Sequence, residues 1–258
     1  MKIVIAGAGG KMGRALIEAV LADGSLVLAA ALDAKGAPAL GSTVAGIPVT
    51  DDVARAIAAG DVLIDFTRPE GTLAHLDACV KAEKAIVIGT TGFSGSQKKK
   101  IAEAARRIPV VMAPNFAVGV NAVFKLAETA AKILGDAYDV EIVEAHHRHK
   151  VDAPSGTALQ LGEVIAAALK RDLSKVAAHG RRGEPGARPA VEIGFHAIRG
   201  GDIVGEHTVI FAGAGERVEI AVRSQSRMTY AAGALRAAKW LRKRAPGLYG
   251  MDEVLGLN

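Results

Sequence analysis

Residues 1–21 read MKIVIAGAGGKMGRALIEAVL, and the fold turns on how this stretch is read. Ile3 to Ala6 is a continuous apolar run suited to a buried strand, and Met12 to Leu21 carries apolar side chains at helical spacing. Between them stands Gly7-Ala8-Gly9-Gly10-Lys11-Met12-Gly13. Gly7 permits a tight turn, Gly10 a close approach of pyrophosphate, and Gly13 the packing of helix against strand. Backbone N–H groups and the helix dipole then face the phosphates. The spacing is G-x-x-G-x-x-G, with Met12 where G-x-G-x-x-G has its last glycine, so the pattern alone also fits a plain tight turn. Its position between a first strand and a first helix selects the dinucleotide reading.

The alternation continues outward from there. Leu26 to Leu32, Val62 to Phe66, Ile86 to Ile88 and Val110 to Met112 read as buried strands. Asp52 to Ala59, Leu73 to Lys81 and Gln97 to Arg107 read as helices. Continuous apolar strands alternating with helices imply a parallel sheet covered on both faces, a Rossmann-like doubly wound domain. The second strand ends at Asp33, where a carboxylate accepts from adenosine ribose hydroxyls; a surface Asp in the turn is the plainer alternative. Gly89-Thr90-Thr91-Gly92 and Ala113-Pro114-Asn115-Phe116 end two later strands, on the edge where ligands of such sheets bind.

After Phe116 the pattern changes. Val120 to Leu134 reads as a helix, Val140 to Ala145 as a strand and Thr157 to Lys170 as a helix. Val191 to Ile198, Ile203 to Phe211 and Arg217 to Arg223 then alternate, joined by short glycine-containing turns. A second α+β domain with a mixed, mostly antiparallel sheet is expected. Asp172 to Pro189 shows no periodicity and reads as a surface loop, or as a lid whose arginines meet an anion. A helical pattern returns from Tyr230 to Arg244. Residues 1–117 and 228–258 are assigned to a dinucleotide-binding domain, and 118–227 to a substrate-binding and oligomerisation domain.

Composition narrows the function. Lys and Arg total 32 against 27 Asp and Glu, a net charge of +5, yet the basic residues are scattered and six Phe, three Tyr and one Trp leave little for base stacking. No nucleic acid is expected. The single Cys79 excludes a disulfide framework within the chain and a thiolate-rich zinc site. The opening apolar run is too short for a signal peptide and no later stretch suits a membrane span, so a cytoplasmic protein without a membrane partner is expected.

Glu144-Ala145-His146-His147-Arg148-His149-Lys150 gathers three imidazoles and two cations within seven residues. A metal site lacks an accompanying Cys or suitably spaced acid, so no metal is assigned. A solvated basic turn remains open. Ser155-Gly156-Thr157 precedes the next helix: Ser155 suits a cap, and the Gly156 and Thr157 N–H groups suit a carboxylate.

The run EAHHRHKVDAPSGTA, with GAGGKMG, GTTGF, APNFAVGVN and GDIVGEHTVIF, resembles the 4-hydroxy-tetrahydrodipicolinate (dihydrodipicolinate) reductase family along the whole chain. The resemblance implies an NAD(P)H-dependent oxidoreductase of lysine and diaminopimelate biosynthesis, assembled as a homotetramer and acting on a cyclic dicarboxylate. It implies His146 as catalytic acid/base and Lys150 as proton donor, with His147, Ser155, Gly156 and Thr157 at the substrate. It also implies Gly7, Ala8, Gly9, Gly10, Lys11, Met12, Asp33, Gly89, Thr90, Thr91, Ala113, Pro114, Asn115 and Phe116 at NADH or NADPH. One departure concerns the cofactor: many members place Arg after the acidic residue, whereas this chain has Ala34, followed by Lys35. NADH is therefore expected to serve at least as well as NADPH. The competing readings are another amino-acid-pathway dehydrogenase, related to aspartate or homoserine dehydrogenase, and a dinucleotide-sensing regulator. No basic recognition helix supports the last.

Overall fold

The structure, a computed structural model, describes residues 1–257; Asn258, the end of the expected first domain, lies outside the described residues. In chain order the first elements are β1 (Lys2–Ala6), α1 (Lys11–Ala22), β2 (Val27–Leu32), β3 (Thr43–Val44), β4 (Ile47–Thr50) and α2 (Val53–Ala59). Next come β5 (Val62–Asp65), α3 (Pro69–Lys81), β6 (Ala85–Ile88), α4 (Gly95–Ala104) and β7 (Pro109–Met112). They are followed by α5 (Val118–Leu134), β8 (Asp139–His146), α6 (Gly156–Ala168), α7 (Leu173–Val176) and β9 (Ala177–His179). The last are β10 (Ile193–Arg199), β11 (Gly205–Ala212), β12 (Arg217–Ser224), α8 (Met228–Leu241), β13 (Gly247–Tyr249) and α9 (Met251–Leu255). Contacts divide the chain into two units: Met1–Val118 with the segment that starts at Arg227, and Gly119–Ser226.

The first unit holds a sheet of order β13-β7-β6-β5-β1-β2-β4-β3, parallel except for the β3–β4 pair. Its apolar strands pack on both faces. Ile3, Ile5, Ile64 and Val87 meet Leu16 and Val20 of α1 and Leu235 of α8, while Val4, Leu63, Ile86 and Ile88 meet Ile57, Leu76 and Ile101. The order runs outward in both directions from β1, so this sheet changes direction where the glycine loop leaves it. Two helix starts differ from the periodicity. Pro69 occupies the first turn of α3, where its missing N–H costs nothing, so that helix begins before Leu73. A capping box of Ser94 and Gln97 starts α4 at Gly95. The short elements β3, β4, β13 and α9 carry too few residues to show a period.

The second unit holds the expected mixed sheet but corrects one of its connections. Its order is β12-β11-β8-β10-β9, in which β11 pairs antiparallel with β8 and β12, while β10 pairs parallel with β8 and β9. The sheet is thus mixed, with most of its residue pairs antiparallel, as expected. The turn at Arg199 to Asp202 does not make a hairpin, because β10 and β11 lie on opposite sides of β8. Val191 is 55% exposed and lies outside β10.

The Asp172 to Pro189 stretch is also more ordered than its sequence suggests. It contains α7 and β9, and two of its arginines are tied down by protein carboxylates. Arg181 and Arg188 both bind Glu141, at 2.8 Å each, and Arg188 also reaches Asp139 at 2.7 Å. With His196 at 2.7 Å as well, the Glu141 pKa falls to about 2; burial opposes the shift and these donors overcome it. Among the described residues, no helix is long and apolar enough to cross a membrane.

Candidate active site

Strand alternation builds the first half of the site. On β8, Val140, Ile142, Glu144 and His146 project from one face, so an apolar face ends in a carboxylate and an imidazole. The register sets His207 of β11 opposite Glu144 and Arg199 of β10 opposite His146. Glu144 is 1% exposed, and its Oε2 lies 2.6 Å from His146 Nδ1. Arg199 grips both Glu144 oxygens, at 2.8 and 2.6 Å, and the Ser155 N–H donates to Oε1 at 3.1 Å. The carboxylate is therefore surrounded by donors, as a buried charge requires.

Ser155 is the N-cap of α6. Its Oγ accepts the Ala158 N–H at 3.2 Å and lies 3.0 Å from His207 Nε2. Gly156 and Thr157 open the helix. The rings of His146 and His207 meet edge to face, with centroids 5.2 Å apart. Lys150 binds both oxygens of Asp152, at 2.8 and 2.9 Å. Arg199 holds the Asp152 carbonyl at 2.7 Å, which ties this loop to the Glu144 cluster. His147 Nδ1 is buried without a hydrogen-bond partner among the described residues.

The electrostatics follow from burial and the charges around it. Burial pushes the His146 pKa below the ordinary imidazole value, and the Lys150 and Arg199 charges push the same way; Glu144 opposes them. Burial lowers His207 to about 4. Burial raises Glu144, but Arg199 and His146 outweigh it and the net shift is downward. At neutral pH the cluster pairs a carboxylate and a guanidinium with two neutral rings, and the His146 Nδ1–H donates to Glu144.

The other set of expected residues lies along one sheet edge of the first unit. Gly7 has φ +71°, and its carbonyl accepts the Gly10 N–H at 3.0 Å. A Cβ on Gly13 would overlap the Gly7 carbonyl, so only glycine lets α1 start this close to β1. Asp33 accepts the Gly9 and Ala34 N–H groups at 2.8 Å each, which fixes its carboxylate beside the loop. This glycine cradle with a carboxylate at its rim fits a dinucleotide. Gly89, Thr90 and Thr91 follow β6, and Ala113 to Phe116 follow β7. The Phe116 ring is buried, 5.4 Å from that of Phe66, so its side chain belongs to the core.

Several residues of both sets escape a search by motif. Arg199 and His207 are held by sheet register rather than by sequence proximity, although His207 lies in the GDIVGEHTVIF run. Glu144 heads the histidine-rich run, but no site role is expected of it from the sequence; the signal for one is an acid in phase with the apolar Val140 and Ile142. Asp65, 0% exposed, likewise ends an otherwise apolar strand.

Comparison with known proteins agrees with this geometry. Residues 1–116 match the family model described as dihydrodipicolinate reductase, N-terminus, and residues 119–255 match dihydrodipicolinate reductase, C-terminus. The chain is 60% identical to 4-hydroxy-tetrahydrodipicolinate reductase of Aromatoleum aromaticum, over 100% of this chain and 96% of that one. It is also 60% identical to the enzyme of the same name from Dechloromonas aromatica, over 99% and 98%. A dipicolinate-bound dihydrodipicolinate reductase from Paenisporosarcina sp. TG-14 superposes with a TM-score of 0.80 at 27% identity, covering 98% of each chain. With both family models matched almost end to end, the chain belongs to the dihydrodipicolinate reductase family.

Proposed function

We propose that this chain catalyses the NAD(P)H-dependent reduction of 4-hydroxy-tetrahydrodipicolinate to tetrahydrodipicolinate, with loss of water, in lysine and diaminopimelate biosynthesis. The observation that carries the reading is the cluster at the end of β8 and the start of α6. There a buried Glu144 holds His146 and Arg199 beside the Ser155 cap, in a chain whose relatives bear that enzyme's name.

The first unit supplies the cofactor groove. Gly7 to Met12 take the pyrophosphate, Asp33 the adenosine ribose, and Gly89 to Thr91 with Ala113 to Phe116 the nicotinamide half. When bound, the nicotinamide supplies a hydride to C4 of the substrate ring. Ala34 leaves no guanidinium beside Asp33 for a 2′-phosphate, which supports use of NADH at least as well as NADPH.

The second unit supplies the substrate side. The first turn of α6, with Ser155, Gly156 and Thr157, takes a ring carboxylate through its N–H groups, assisted by His147. His146 starts neutral because it is buried, and Glu144 fixes its Nδ1–H, so Nε2 is the position that exchanges protons. Glu144 then stabilises the imidazolium. Lys150 exchanges its Asp152 partner for substrate and delivers a proton. In sum a hydride and a proton enter the ring and water leaves.

The β8 face opposite Glu144 supports a homotetramer. Ile198 on that face is 52% exposed, and Val143 and Ile210 are only half-buried, apolar positions that suit contact with a second copy among charged neighbours such as Glu141 and Glu206. A cytoplasmic location completes the proposal.

Purified protein mixed with NADH or NADPH and the product of dihydrodipicolinate synthase should consume the reduced nucleotide, read as falling absorbance. No turnover there, with turnover on homoserine or aspartate, overturns the reading.

A further inference from the structure

A second buried carboxylate, in the first unit, has no part in the chemistry above. Asp65 ends β5 and is 0% exposed. Its Oδ1 accepts the Thr67 N–H at 2.9 Å, the Thr67 hydroxyl at 2.7 Å and the Thr72 hydroxyl at 3.1 Å. Its Oδ2 lies 2.7 Å from His75 Nδ1. Thr72 Oγ1, itself buried on α3, stands 2.8 Å from Thr90 Oγ1. Thr90 lies beyond the carboxyl end of β6, in the half of the sheet away from Asp33.

A hydroxyl has one proton, and an ionised carboxylate can only accept. Thr90 Oγ1 also stands 3.5 Å from Asp65 Oδ1, a longer contact than the 3.1 Å of Thr72. With Thr72 donating to Asp65, Thr90 is the donor in the Thr72–Thr90 pair, and its proton faces the carboxylate side in either arrangement. The Thr90 proton is thereby turned inward, and its lone pairs are the hydrogen-bonding capacity left to it at the strand end.

We infer that Asp65, acting through Thr72, sets Thr90 as an obligate acceptor for the carboxamide N–H of the nicotinamide. Asp65 and Thr72 are thus positioning residues for the nicotinamide half alone. The adenosine half rests on the glycine loop and Asp33, whose carboxylate binds the Gly9 and Ala34 N–H groups and, among the described residues, no member of this network. The inference rests on the cofactor reading given above and adds to it the polarity of one contact.

The test compares NADH with ADP-ribose, which lacks the nicotinamide, by calorimetric titration of the whole protein. Thr72→Val removes the relay at nearly constant volume, and Thr72→Ser keeps it. For Thr72→Val the Kd of NADH should rise about fivefold, the size of one lost hydrogen bond, while that of ADP-ribose stays within about twofold. Thr72→Ser should restore the wild-type pair of values. Should Thr72→Val not fold, Thr72→Ala is the second variant and the same split is expected. An unchanged NADH Kd, or parallel weakening of both ligands, overturns the inference. Wild-type protein that binds neither ligand overturns the cofactor reading and this inference with it.

Discussion

Glu144 and His146 stand two positions apart on β8, and strand alternation brings Oε2 of the first to 2.6 Å from Nδ1 of the second inside the protein. The pair fixes the imidazole tautomer and stores a negative charge beside a ring that burial keeps neutral. Removing the charge alone should therefore show in the pH profile. In Glu144→Gln the His146 pKa falls further, so the limb of the kcat profile that reports protonated His146 moves to lower pH. Loss of acid–base assistance lowers kcat by about 10²-fold. Arg199 is left without its carboxylate, and breaking a buried pair costs about 3–5 kcal/mol, so Tm also drops. A kcat profile that keeps its wild-type limbs would exclude the pairing as a tuning device.

Lys150 separates substrate chemistry from nucleotide binding. It belongs to the second unit, whereas the glycine loop and Asp33 belong to the first. Lys150→Ala should lower kcat by about 10²–10⁴-fold as a lost proton donor, and leave the Kd for NADH within about twofold. Fluorescence titration with NADH checks the second half; a large loss of affinity would contradict the assignment of the two units.

Cofactor choice should respond to one position. Ala34 donates its N–H to Asp33 and brings no charge. In Ala34→Arg, a guanidinium beside Asp33 offers paired donors to a 2′-phosphate, and the KM for NADPH should improve by about tenfold with little change for NADH. Initial rates with both nucleotides decide it, and an unchanged KM for NADPH means that the phosphate is held elsewhere.

Acid should unfold the protein partly through His207. Its folded pKa is about 4 against 6.5 for the ordinary group. The unfolded chain therefore takes up the proton first, and stability present above pH 6.5 is lost as pH falls towards 4. The full swing is about 3 kcal/mol at 1.36 kcal/mol per unit. Chemical denaturation from pH 7 to pH 4 should show a shallower decline for His207→Asn than for the wild type. Equal slopes would remove His207 from the account.

The parts of the fold that show in the sequence are those with long periods. The strand, glycine loop and helix of residues 1–21 need only local sterics, and Ser155 caps α6 by a contact three residues long. The mixed sheet is a different matter. Whether β10 turns back onto β11 or passes to the far side of β8 depends on partners more than fifty residues away, and alternation is the same in either case. The arginines of the 172–189 stretch illustrate the same limit. They look solvated in sequence because their carboxylates, Asp139 and Glu141, lie in β8. The acids Glu144 and Asp65 were legible in principle, as charges in phase with apolar neighbours.

The central place of β8 also orders events during synthesis. Glu144 emerges from the ribosome 55 residues ahead of Arg199, and His207 follows later still. Until then it is a carboxylate on an apolar strand that lacks both flanking partners, so the nascent second unit cannot close around it at low cost. The residues that prepare His146 for proton transfer thus also decide how late in the chain the second unit can bury its central strand. A chain released before β10 is complete carries that carboxylate without the guanidinium that holds both its oxygens.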